Sequence, residues 1–94
     1  MTRIIMVAKA GAFAENKDAA KHMRLQEIIP ARENHEDVVL DFEGVGAATQ
    51  SFIHALISDL IRHHGSEVLD QISFKSCNET IRKIIGIVVD YMQE

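Results

Sequence analysis

The sequence predicts a small α/β domain: a mainly parallel sheet of about three to four strands with helices packed against it. Three observations carry this. Two short apolar runs, Arg3–Ala8 and Val38–Phe42, and Leu69–Lys75, which alternates over its second half, each precede a longer segment of helical character. The resulting order is β-α-β-α-β-α, and strands separated by helices pair in parallel through right-handed crossovers. At 94 residues the chain has room for one domain, spanning residues 1–94, and a chain of that size buries only about 60–65% of its unfolded surface.

The run RIIMVA over Arg3–Ala8 is short, apolar and β-branched, as a buried strand should be, and Gly11 breaks it. Phe13–Ile29 reads as a helix, with Asn16 and Asp18 as candidate caps and Ala20, Met23 and Leu25–Ile29 as an uneven apolar face. Pro30 disfavours the α conformation at Ile29, so the helix is expected to stop there and the polar stretch Ala31–Asp37 to form a loop. Val38–Phe42, VVLDF, has four apolar residues in five and reads as a strand buried on both faces. Gly44 and Gly46 open a loop that runs to Gln50.

Ser51–His64 has a clear helical period, with Ile53, Leu56, Ile57, Leu60 and Ile61 on one face. Thr49 or Ser51 can cap its first amides, and Gly65 stands where a left-handed terminal residue is wanted. After Leu69–Lys75, Ser76 to Glu79 has the S-x-x-E form of a capping box, with Asn78 as a competing cap. The last helix is expected to reach about Met92, on an unbroken stripe of Ile81, Ile84, Ile85, Val88, Val89 and Met92. Gly86 lies on or near that stripe; it costs about 1 kcal/mol relative to Ala, which points to close packing there.

Composition narrows the function classes. Hydrophobic residues make up 47% and charged residues 26%, a globular balance. The net charge is −4 and the ten Lys and Arg residues are scattered, which argues against nucleic acid as a partner. A lone cysteine, Cys77, excludes an internal disulfide. The N-terminus has no long apolar core or cleavage signature, and no apolar run approaches the ~18 residues of a membrane span. A cytoplasmic location is the resulting expectation.

No catalytic set emerges. His22 and His35 fall on other elements than His54, His63 and His64; on their shared helix His54 lies nine residues before His63, and the adjacent His63 and His64 point about 100° apart. No metal-binding spacing is present, so neither a metal nor another cofactor is expected. Cys77 precedes the last helix, whose dipole could lower its pKa, but a partly buried, inert thiol is the simpler reading. Asp41 lies near the carboxyl end of its strand, where ligands of open parallel sheets bind. It is read as a loop anchor that accepts amides of the Glu43–Gln50 loop, with a catalytic carboxylate as the alternative. The loop EGVGAATQS leads into a helix and could cradle a phosphate, but it lacks the lysine of a P-loop and the third glycine of a dinucleotide fingerprint.

VVLDFEGVGAATQSFIHALISDLIRHHG, followed by a strand and NETIRKIIGIVV, resembles the bacterial STAS-like domain of unknown function, itself distantly similar to anti-sigma-factor antagonists. The best part of the resemblance is Asp41-Phe42 followed at this spacing by Ser51-Phe52. It implies a regulatory protein-binding role and a histidine-kinase-like ATPase as partner. In the antagonists, phosphorylation of a serine at the start of the second helix releases the complex. Here the usual phosphoacceptor position falls on Gln50, with Thr49 before it and Ser51 after it. Ser51 is therefore a candidate phosphosite, beside the simpler reading of a helix N-cap. The expected contact surface comprises Thr49, Gln50, Ser51, His54 and Ser58. Two other functions stay open: a small-ligand or nucleotide binder using Asp41 and residues 43–51, and a homo-oligomeric subunit, such as a homodimer, joined through sheet edges.

Overall fold

The computed structural model describes residues 1–92. VVLDF supplies the middle strand, β3 (Val38–Asp41), with all four residues buried. β1 (Thr2–Ile5) and β5 (Ile72–Lys75) flank it, both parallel to it, in register Ile4 to Leu40 to Phe74. This is the mixed α/β architecture with a small parallel sheet that the alternation of runs predicts.

The two faces of the sheet differ. Ile4, Val38, Leu40 and Ile72 belong to the main core, and Phe74 packs against it. The Phe74 ring lies tilted by 34° against Phe42, at 6.5 Å between centroids. The opposite face carries Arg3, Ile5, Val39, Asp41, Ser73 and Lys75. Only Val39 and Asp41 are buried there, in the central strand between exposed neighbours.

Several boundaries depart from expectation. The apolar run at the N-terminus is not one strand: after Ile5 the chain turns into a short helix, α1 (Met6–Ala10), with Met6 fully buried. Short apolar runs fit a strand or a buried helical turn equally well. Residues expected to begin a helix instead form β2 (Phe13–Ala14), which pairs in parallel with β4 (Ala47–Ala48) inside the expected loop. Two-residue strands carry no periodicity from which to read them.

α2 (Lys17–Met23) begins later than expected, at Asn16, whose Oδ1 accepts the amides of Asp18 and Ala19. It continues through a π-helical turn, Arg24–Ile28, into α3 (Ile29–Glu33). The wide turn explains the uneven apolar pattern. It carries burial from Met23 to Ile28 five residues on and leaves Leu25 46% exposed. Pro30 does not end the helix, and Ile29 stays in the α region (φ −62°, ψ −47°). The proline sits where the hydrogen-bond ladder returns from π to α spacing, so its missing N–H falls at a point of mismatch. The helix ends at Asn34 and His35, not at Ile29. His35, at φ 59°, takes the left-handed position, while its amide reaches Arg32 O and that of Glu36 reaches Ala31 O. This is a Schellman closure with histidine in place of the usual glycine.

α4 (Gln50–His64) lies between α2 and α5 (Glu79–Met92). A 3₁₀ segment, Ser66–Gln71, occupies the first half of the expected third strand. The capping box at Ser76 does not form: Ser76 has φ 59°, whereas a cap residue needs extended backbone. Asn78 caps α5 instead, its Oδ1 accepting the Ile81 amide at 2.9 Å. The stripe on α5 faces inward, with Ile81, Ile85 and Val88 buried and Ile84, Val89 and Met92 packed beside them. Gly86 does not mark close packing: a Cβ built there meets nothing within 4 Å. No helix among the described residues is long and apolar enough to cross a membrane.

Candidate protein-binding surface

The loop after β3 is fixed from several directions. Asp41 Oδ1 accepts the Glu43 amide at 2.9 Å, and Val45 N–H donates to Phe42 O at 2.9 Å. Gly44, at φ +87°, brings its backbone against Val7, where a built Cβ would stand 3.4 Å from the side chain. Gly46 N–H donates to Ala12 O, and Gly46 O accepts from Asn78 Nδ2 at 2.7 Å. The cap residue of α5 thus also pins the loop before α4. Thr49 N–H donates to Ala14 O at 2.9 Å, closing the β2–β4 pair.

Thr49 then caps α4. Its backbone is extended and its Oγ1 accepts the Phe52 amide at 3.0 Å. Ser51 is not the cap; it stands in the first turn, as the second residue of the helix, with its side chain exposed. Phe52 and Ile53 are fully buried and anchor the turn. Around them Gln50, Ser51 and the half-buried His54 line an open groove of about 480 Å³ with Lys17 and Ala55.

The expected contact residues divide here. Gln50, Ser51 and His54 share this surface, with Thr49 half-buried at its edge. Ser58 does not join them, being only 3% exposed. It follows His54 by one helical turn, but there α2 and the π turn cross α4. Arg24, 7% exposed, reaches over to Ala55 O and pairs with Asp59 at 3.1 Å. Two residues that sequence reasoning passed over border the surface. Lys17 opens α2 beside the groove, and Phe13, 53% exposed, pairs in register with Ala47. Lys17 follows the Asn16 cap, a signal that was legible; Phe13 became an exposed strand residue only through pairing with the loop.

Asp41 lies on the open face of the sheet. Its Oδ2 accepts from Arg3 Nε at 3.1 Å and also from Arg3 Nη2. The Arg3 hydrogen bond, the Glu43 amide and the charges of Arg3 and Lys75 hold its carboxyl below the usual range, against the opposing effect of burial. Arg3 is correspondingly raised. Burial pushes the Cys77 thiol up, although Arg82 pulls the other way, so the helix start does not make it a ready thiolate. Among the described residues no three His, Cys, Asp or Glu side chains are placed to hold a metal ion.

The family described as STAS-like domain of unknown function (DUF4325) matches residues 20–82, which is 63 of the 94 residues. No curated protein and no solved structure matches significantly. The matched stretch contains β3, the pinned loop, the whole of α4 and β5. The chain belongs to the STAS-like domains of unknown function.

Proposed function

We propose that the chain is a regulatory protein-binding module that engages a histidine-kinase-like ATPase through the loop at residues 43–49 and the exposed tip of α4. The observation that carries the reading is the contrast within α4. Seven of its residues are buried, while Gln50, Ser51 and His54 are presented together at its start beside a fixed loop. A rigid loop and a helix tip suit recognition, because little conformational freedom remains to be lost on binding. Lys17 adds a cation to this surface, and Phe13 an apolar group at its border.

Ser51 is the hydroxyl of this surface best placed for modification, since that of Thr49 is engaged in the cap. A phosphate on Ser51 brings about −1.5 to −2 charge. In the first turn the helix dipole tolerates that charge, so α4 stays folded while the surface changes sign. Affinity purification of the full chain from its native cell tests the reading. Wild type is expected to recover a histidine-kinase-like ATPase and Ser51→Asp to recover much less. Absence of any such ATPase, or equal recovery by both, contradicts it. A thermal-shift screen against nucleotides separates the ligand-binding alternative: a shift abolished by Asp41→Ala would favour that function instead.

A further inference from the structure

α5 is apolar on more than its buried side. Ile87 is 53% and Tyr91 67% exposed, one helical turn apart, and Gly86 lies beside Ile87 with open space where a side chain would be. A mid-helix glycine destabilises a helix relative to alanine. Among the described residues nothing approaches Gly86 closely enough to require it.

The outermost face of the helix, opposite Ile81, Ile85 and Val88, carries Lys83, Gly86, Ile87 and Asp90, the spacing of a helix-pairing seam. This face is self-complementary. When two copies lie antiparallel about a two-fold axis between residues 86 and 87, Gly86 of each helix meets Gly86 of the other and Ile87 meets Ile87. The same operation sets Lys83 opposite Asp90 at both ends, about 10 Å apart along the axis. Among the described residues Lys83 pairs with Glu79, at 3.6 Å, and both side chains are mostly exposed, so it is free to re-pair.

We propose that the occupant of this face is a second copy of the chain, joined through antiparallel α5 helices with Gly86 as the point of closest approach. The proposal is independent of the α4 surface and of any ATPase. One helix pair buries less than the roughly 800 Å² per partner of a standard interface. The dimer is therefore weak and forms only at high protein concentration.

Sedimentation velocity on the full chain, over a concentration series from micromolar to millimolar, tests it. The wild type is expected to pass from monomer to dimer. Ile87→Asp and Gly86→Leu, both at open positions and so expected to fold normally by circular dichroism, should each weaken association at least about tenfold. Lys83→Asp and Asp90→Lys should each weaken it, and the double swap should restore it. Gly86→Ala should raise the monomer's unfolding temperature. A wild type that stays monomeric throughout overturns the proposal. So does a dimer that survives Ile87→Asp or Gly86→Leu, which would place the contact elsewhere. A double swap that fails to recover overturns the antiparallel arrangement.

Discussion

α4 and α5 carry similar apolar stripes and end in different surroundings. α4 lies between α2 and α5, so even the polar Ser58 is buried and the helix is exposed chiefly at its two ends, Gln50–Ser51 and Arg62–His64. α5 is buried along one side, at Ile81, Ile85 and Val88, and exposes apolar residues on the other. A stripe records which side of a helix is buried, but how much of the remainder is covered depends on neighbours distant in sequence. The free surface of α4 is therefore confined to its two ends, while that of α5 is spread along its flank.

The largest effect expected from this contrast is in stability. Leu56→Ala, at a fully buried position of α4, should cost about 2–5 kcal/mol in urea unfolding. Ile87→Ala on α5, measured at concentrations where the chain is monomeric, should fall within about 0.5 kcal/mol of wild type. Similar losses at the two sites would mean that the α5 flank is packed after all. A smaller difference separates two hydroxyls of the α4 tip. Thr49→Ala should cost about 1 kcal/mol because the cap is lost, whereas Ser51→Ala should be nearly neutral. The reverse order would make Ser51 the cap and remove it as a free modification site.

The last of these effects is lost at acid pH. Asp41 has its carboxyl held below the ordinary carboxylate range in the folded state. A depressed folded value contributes stability above the unfolded value, and that contribution fades as pH falls through the folded one. Asp41→Asn should therefore be less stable than wild type at neutral pH, with the gap closing as pH drops below about 4. A gap independent of pH would show that the Arg3 pairing contributes nothing through charge.

Much of this architecture was legible because burial repeats along the chain. VVLDF, the α4 stripe and the α5 stripe each report their element directly. The parts that were not legible depend on pairing or on exceptions to local preference. The β2–β4 pair joins residues 13–14 to 47–48 through two-residue strands. The π turn shifts the apolar pattern of α2 by about one position, and it lets Pro30 sit within continuous helix. At the candidate surface, Gln50, Ser51 and His54 could be placed from helical spacing alone. The burial of Ser58 beneath the Arg24 crossing, and the arrival of Lys17 at the groove, required the tertiary contact between α2 and α4.

The central claim is that the tip of α4 is the binding surface. It is tested most directly by pairing Gln50→Arg and His54→Glu in one variant. These side chains line the groove outside the core, so the unfolding midpoint should stay close to that of wild type. Tagged wild type and variant, expressed equally in the native cell, are compared for recovery of a histidine-kinase-like ATPase by quantitative mass spectrometry. The account predicts recovery with wild type and its loss with the equally stable variant. Equal recovery by the two would place the binding surface elsewhere and contradict it.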